Sequence, residues 1–199
     1  MKQLFITFIS LSFAIYHGNA QEPCGLYATP GDLKNDHLSI RADLPAGRHT
    51  IVISDFFMRP YIYIRTNGHK LRIPMDSVYA LKQYNGDIYR IWHQKSYRLV
   101  DAGPLLVFSY DNRVIKMVRT ARSSHPAIVL QKEYYFCCDY PDSLLPLSID
   151  NVRLALHADK QLSDTLRLYF PQLQMLIGTD NKIHSNINTF LINYKKANR

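Results

Sequence analysis

Apolar and polar residues alternate over short runs along much of the chain, most clearly between residues 60 and 110. This pattern predicts β-strands, because successive side chains on a strand point to opposite faces. Two of the runs end at Asn67-Gly68 and Asn85-Gly86. Asn-Gly suits the type I′ turn of a tight hairpin, in which both central residues need positive φ. We therefore predict an antiparallel β-meander, in which strands that follow one another along the chain are neighbours.

Further strands are predicted after the meander. Asp111-Asn112 is predicted to turn the chain after a strand over Leu105–Tyr110. The next segment, Arg113–Arg119, has two interpretations: its basic residues recur at a helical spacing, but its β-branched residues favour a strand, which we prefer. Thr120–His125 is predicted to be a polar, basic loop, and Ala127–Cys138 the longest strand.

The pattern changes to helical spacing after Pro141. Ser148 is a suitable N-cap for a helix through Leu156, and a second helix is predicted from Lys160 until Pro171 stops it. A last amphipathic segment carries an apolar stripe, formed by Ile183, Ile187, Phe190, Leu191 and Tyr194. Near the start of the chain, Thr29 before Pro30 predicts one short capped helical turn.

The predicted fold class is α+β and mostly β: an antiparallel β-meander, as a curled sheet or partly open barrel, with C-terminal helices packed on one side. Residues 21–145 would form the meander domain, and residues 146–199 the helical segment. The alternative architecture is a fully closed, lipocalin-like barrel with an interior ligand.

Residues 1–20 are predicted to be a secretory signal peptide. Lys2 supplies positive charge, an apolar stretch runs from Leu4 to Tyr16, and Gly18 and Ala20 are small residues where a signal peptidase would cut. The remaining sequence has no second long apolar run, so no transmembrane segment is expected in the mature chain. We expect the protein to be secreted, into the periplasm or the outer envelope.

The chain is basic, with a formal net charge of +8, and its only glutamates are Glu22 and Glu133. Behind a signal peptide, nucleic acid is not an expected partner. The expected partners are an envelope protein or an anionic surface of glycan or lipid.

No catalytic, cofactor or metal-binding motif is found in the sequence. There is no HExxH motif, no GxSxG nucleophile turn, and no glycine-rich phosphate or dinucleotide loop. The sequence therefore predicts no enzyme activity, no catalytic residue, no cofactor and no metal site.

Four tyrosines and three cysteines are candidate site residues. Tyr61, Tyr63, Tyr79 and Tyr89 lie on predicted strands and could form an aromatic binding face, although tyrosines on strands also serve as cross-strand packing pairs. In an oxidising compartment Cys24 could form a disulfide with Cys137 or Cys138, which should point to opposite faces of one strand. The other possibility is three unpaired thiols that pack as small apolar residues.

Four groups of residues stand out as local motifs: Gly25-Leu26-Tyr27, Asp32-Leu33-Lys34-Asn35 with Leu38, Tyr89-Arg90 with Tyr97, and Tyr134-Tyr135-Phe136 with Leu147 and Asn151. In these motifs the chain resembles a family of secreted proteins of Bacteroidota-type bacteria that has no assigned activity. The family tends to have serine after the Tyr-Tyr-Phe run, where this chain has Cys137. The resemblance implies an envelope location, and it supplies no catalytic residue.

These observations predict a non-enzymatic interaction or accessory protein of the cell envelope. The alternative is a glycan- or lipid-binding module that uses an aromatic sheet face or a barrel interior.

Overall fold

The computed structural model describes residues 22–43, 51–54, 60–119, 124–157, 160–170, 177 and 185–197. Several predicted features lie outside these residues: the signal peptide, most of the loop predicted at Thr120–His125, the helix stop at Pro171, and Ile183.

Most of the described chain is antiparallel β-structure, in a sheet of eight strands and a sheet of three. The large sheet contains β1 (Gly25–Tyr27), β2 (Ile40–Arg41), β6 (Ala80–Lys82), β7 (Ile88–Trp92), β8 (Lys95–Ala102), β9 (Leu106–Arg119), β10 (Ser124–Cys137) and β11 (Leu145–Pro146). Its strand order is β11-β10-β9-β8-β7-β6-β1-β2, so the predicted meander is confirmed from β6 to β10. The sheet is not closed, since β11 and β2 stand at its two ends, and the alternative of a fully closed barrel is wrong.

The small sheet contains β3 (Ile51–Ser54), β4 (Tyr61–Thr66) and β5 (His69–Pro74), and a short 3₁₀ helix follows it (Met75–Ser77). Asn67 and Gly68 join β4 to β5 with φ of 50° and 76°. Both values are positive, as the predicted type I′ turn requires. At Asn85-Gly86 only Gly86 has positive φ, 82°, so the type I′ turn predicted there is wrong, although the chain does turn.

Two helices begin where the sequence places their caps. Thr29 caps α1 (Pro30–Lys34) through a capping box with Asp32, and Ser148 caps α2 (Ile149–Ala155). They are followed by α3 (Lys160–Tyr169) and α4 (Asn186–Ala197), both in predicted helical segments. The C-terminal helices are thus confirmed.

The turn predicted at Asp111-Asn112 is wrong. The chain continues there as one strand, in which Asp111 pairs with Lys132 and Asn112 pairs with Gln131. The amide of Asn112 also donates to Glu133 Oε1 at 2.8 Å. These cross-strand contacts outweigh the local turn preference of Asp-Asn. The strand interpretation of Arg113–Arg119 is confirmed.

Alternation along β9 and β10 supplies two separate cores. Val107 and Phe136 point to one side and pack with the C-terminal helices, in a cluster that includes Leu105, Val152, Leu166, Phe170, Ile187 and Leu191. Leu106, Phe108 and Cys137 point to the other side, where they pack with Tyr97 and Leu144. A third cluster joins Ile62 and Ile64 of the small sheet to Leu26, Leu81 and Ile91 of the large sheet.

A buried polar cluster fastens α4 to the corner between β8 and β9. The register shifts between Leu99 and Asp101, and this irregularity turns Asp101 inward, where it is 4% exposed. Asp101 Oδ2 accepts hydrogen bonds from the Ser185 amide, the Ser185 hydroxyl and Asn188 Nδ2. Asn188 also bonds both backbone groups of Leu105. A Cβ on Gly103 would lie 2.7 Å from Asn188 Nδ2, so the close approach of α4 requires glycine there.

We predict that Asn188→Ala lowers the free energy of unfolding by about 2–4 kcal/mol, because it leaves buried polar groups of Leu105 and Asp101 with fewer partners. Chemical denaturation followed by circular dichroism measures the change. Asn193→Ala on the exposed side of the same helix is the matched control and should change stability by less than about 0.5 kcal/mol. Equal effects of the two substitutions would contradict the structural role given to Asn188.

A second polar cluster joins the N-terminal segment to the large sheet. The buried hydroxyl of Tyr27 donates to Asp36 Oδ1, and Lys82 Nζ lies 3.3 Å from Asp36 Oδ2 and 3.3 Å from Glu22 Oε2. The hydrogen bond from Tyr27, aided by Lys82 and opposed by partial burial, holds the pKa of Asp36 below its ordinary value. A carboxyl whose pKa is lowered by folding stabilises the protein above its unfolded pKa, and this contribution is lost as the pH falls through the folded pKa.

We predict that Tyr27→Phe reduces the acid sensitivity of the fold. In the wild type, part of the fall in Tm between about pH 5 and pH 3 comes from protonation of Asp36, and without the tyrosine hydroxyl that part shrinks. Thermal unfolding across this pH range measures it. Tyr84→Phe, at a half-exposed tyrosine, is the control and should keep the wild-type slope. The same slope in both variants would show that the Tyr27–Asp36 bond has no such effect.

Candidate functional site

The four predicted tyrosines lie in two separate places. Tyr61 and Tyr63 are on the face of β4 opposite to the buried Ile62 and Ile64. Tyr79 and Tyr89 belong to the region of β6 and β7 in the large sheet. Tyr61 and Tyr63 therefore share one face of β4, whereas Tyr79 packs against a cluster that contains Tyr27 and Leu33, and Tyr89 packs against the cluster that joins the two sheets. A single aromatic face through all four stays a prediction.

The rings of the first pair already have cationic neighbours. The guanidinium of Arg72 lies 3.6 Å from the ring centroid of Tyr61, and Lys70 Nζ lies 4.5 Å from that of Tyr63. These cation–π contacts occupy one face of each ring and stabilise a partly exposed strand. A ligand stacking on that face would have to displace Arg72 or Lys70.

The three cysteines are free thiols in the structure. Cys24 packs where the two sheets meet, and Cys137 packs among Tyr97, Leu106 and Phe108. Four strands stand between β1 and β10 in the sheet order, so the predicted disulfide is not formed. Cys138 points to the opposite side from Cys137, as expected, and burial raises the pKa of all three thiols, that of Cys137 to about 11.

The outer parts of β9 and β10 form a projecting hairpin, which we call the β-arm (residues 111–119 and 124–132). Within the described chain, β8 pairs with β9 only as far as Ser109, and β11 pairs with β10 only at Tyr135 and Phe136. The β-arm strands therefore pair only with each other there. Nine residues at about 3.4 Å each give the β-arm a length of about 30 Å.

One face of the β-arm is apolar and exposed. Ile115 lies opposite Ile128, with Met117 and Leu130 beside them, and these side chains are 75%, 71%, 65% and 63% exposed, respectively. An isolated two-stranded hairpin is marginally stable in water, and a contiguous apolar patch of this kind is typical of an interaction surface. Sequence periodicity predicted the strands but not their exposure, because the number of neighbouring strands is a property of the tertiary fold.

The β-arm is also basic, and its base is held in place. Arg113, Lys116 and Lys132 outnumber its one carboxylate, Asp111. At the base, Glu133 accepts hydrogen bonds from Asn112 and from the Tyr135 hydroxyl, and these bonds lower the pKa of Glu133. Two side-chain hydrogen bonds thus hold the base of the β-arm, while its outer apolar face is exposed.

A cleft of about 350 Å³ opens between the 3₁₀ helix and the turn after β7. Its lining comes from two segments, residues 75–79 and 91–94, with Ala28 at the margin. His93 and Gln94 form the β7–β8 turn with φ of 47° and 59°. Left-handed backbone at residues other than glycine costs about 1–2 kcal/mol each, and such strain clusters at functional positions. The strand pattern ends at Trp92 and resumes at Tyr97, which indicates a turn between them, but His-Gln carries no signal for left-handed backbone.

A buried arginine lies behind the aromatic part of this cleft. Arg90 is 1% exposed, and its guanidinium lies 4.9 Å from the ring centroid of Tyr79 and 5.1 Å from that of Trp92. It donates to the Asp142 carbonyl at 2.5 Å and to Cys137 Sγ at 3.3 Å. Within the described part of the chain no carboxylate forms an ion pair with Arg90, and its Nε has no acceptor.

Comparison of the chain with protein-family models, curated proteins and solved structures finds no match. Among the described residues no group of three or more His, Cys, Asp or Glu side chains could hold a metal ion. In the same residues no helix combines the length and apolar character that crossing a bilayer requires.

We predict that Arg90→Met lowers the free energy of unfolding by about 1 kcal/mol or less, whereas Arg90→Ala lowers it by about 3 kcal/mol or more. Methionine fills most of the same space and removes a buried charge that has no counterion, while alanine leaves a cavity. Urea denaturation of the two variants tests this. An equal decrease in the free energy of unfolding in both variants would contradict this prediction. It would mean that Arg90 stabilises the fold through its two hydrogen bonds and not through the packing of its side chain.

Proposed function

We propose that the protein is a non-enzymatic interaction protein of the cell envelope, and that the β-arm binds a protein partner. The observation that carries the proposal is the exposed apolar face around Ile115 and Ile128. Covering this face would remove apolar surface from water, and it would stabilise a hairpin that, among the described residues, has no other sheet neighbour over nine residue pairs.

The basic side chains of the β-arm indicate which kind of protein surface would complement it. Arg113 stands next to the apolar residues on the exposed face, and Lys132 follows at the base of the β-arm. The partner surface that complements this arrangement is an apolar groove bordered by carboxylates. Rim charges of this kind speed association and make it sensitive to salt.

Site-specific photocrosslinking in cells that secrete the protein tests the proposal. A photoreactive residue replaces Met117 on the β-arm, or Leu168 on α3 as the control, since Leu168 is 79% exposed but lies outside the β-arm. We expect one protein adduct from position 117 and none from position 168. Adding Ile115→Thr and Ile128→Thr should abolish the adduct with little change in Tm, because threonine keeps the strand preference and removes the apolar contact.

Raising the salt concentration should weaken the crosslink, whereas Leu168→Gln should leave it unchanged. Three results would overturn the proposal: no adduct from the β-arm, the same adduct from both positions, or a lipid in place of a protein at position 117.

A further inference from the structure

The cleft beside Trp92 is separate from the β-arm, and its residues are of the types that line binding sites for small molecules. Its floor is apolar, formed by the buried side chains of Met75, Val78 and Ile91. Half-buried Tyr79 and Trp92 form its aromatic part. Its rim is polar and exposed, formed by Asp76, Ser77, His93 and Gln94. Aromatic walls with a few convergent polar groups are the usual composition of a small-molecule site.

The side chains at the polar rim can form hydrogen bonds with hydroxyl groups of a ligand. Gln94 Nε2 lies 3.4 Å from Asp76 Oδ2, so an amide and a carboxylate stand side by side at the mouth of the cleft. Together they offer donors and acceptors to a pair of neighbouring hydroxyls, and the ring nitrogens of His93 add another polar contact. The left-handed backbone at His93 and Gln94 keeps both side chains at this rim, where glycine would be the unstrained choice.

The charges around the cleft disfavour ionic ligands. A cation stacked on Tyr79 or Trp92 would meet the guanidinium of Arg90, which already lies near both rings. An anion at the rim would meet the carboxylate of Asp76. A volume of about 350 Å³ is at the small end of ligand pockets, which suits one sugar ring and not a long chain.

We propose that this cleft binds a neutral pyranose unit of a glycan, with the apolar face of the sugar on Trp92 and its hydroxyls on Asp76 and Gln94. The inference does not depend on the β-arm or on its partner. Tyr79, one of the predicted tyrosines, lines this cleft together with residues that the sequence did not single out.

The chain contains a single tryptophan, so its intrinsic fluorescence reports on the cleft directly. The probes are methyl α-mannopyranoside, methyl β-glucopyranoside, methyl β-galactopyranoside and N-acetylglucosamine, each titrated to about 50 mM to detect millimolar dissociation constants. We expect at least one of them to give a saturable change in Trp92 emission. Tetramethylammonium and acetate, as the cationic and anionic probes, should give none.

Two rim variants and one control complete the test. Asp76→Ala and Gln94→Gly should each weaken the sugar response by about 10-fold or more, since each removes a hydrogen-bonding partner of the ligand. Glycine suits the left-handed turn, so loss of binding in Gln94→Gly would not be due to unfolding. Asp164→Ala, at an exposed carboxylate on α3, should bind as the wild type does.

No saturable response to any sugar, an unchanged response in both rim variants, or a larger response to tetramethylammonium or acetate would overturn the sugar proposal. None of these results would affect the β-arm proposal, whose readout is a crosslink at position 117.

Discussion

The antiparallel register between β9 and β10 is the constraint on which the rest of the structure depends. On the inner half of this pair, Val107 and Phe136 face the C-terminal helices, while Phe108 and Cys137 face the other core. Because side chains alternate, a slip of one residue would exchange the two sets and bring each against the wrong neighbours. The same register, continued outward, sets Ile115 opposite Ile128 on the β-arm. One pairing therefore determines both cores and the exposed apolar face.

Hydrogen bonds of buried polar groups fix the positions of α4 and of the segment after β10, which apolar packing alone would not orient. Asp101 and Asn188 hold α4 at the β8–β9 corner, and Arg90 ties the segment after β10 back to β7 through the Asp142 carbonyl. Each group is held by directional bonds in a site that excludes water, so a wrong arrangement would leave polar atoms unpaired. Apolar contacts provide most of the driving force, while these bonds select one arrangement of helix and sheet.

Local signals predicted the elements of the fold at most positions where the backbone of one or two residues decides the outcome, and the turn type at Asn85-Gly86 is an exception. Asn67-Gly68, Thr29 and Ser148 all act where they were expected, because positive φ and helix capping are properties of one or two residues. Predictions failed where the outcome depends on distant residues. Asp111-Asn112 has a turn composition, yet pairing with β10 keeps it extended. The four tyrosines share a strand pattern, but strand order, which no single run encodes, divides them between two sheets.

The two candidate sites differ in the physical feature that makes them candidates. At the β-arm this feature is an apolar surface that the described part of the chain leaves exposed. The base of the hairpin is held by hydrogen bonds from Asn112 and Tyr135 to Glu133, while its outer apolar face is uncovered. At the cleft this feature is backbone strain, since His93 and Gln94 have positive φ angles that glycine would adopt without strain. The exposed apolar face of the β-arm is large enough to be covered by a macromolecule. The strained polar residues beside the aromatic side chains of the cleft suit a small ligand instead. The β-arm and the cleft share no residue, so a molecule bound at one of them would not occupy the other.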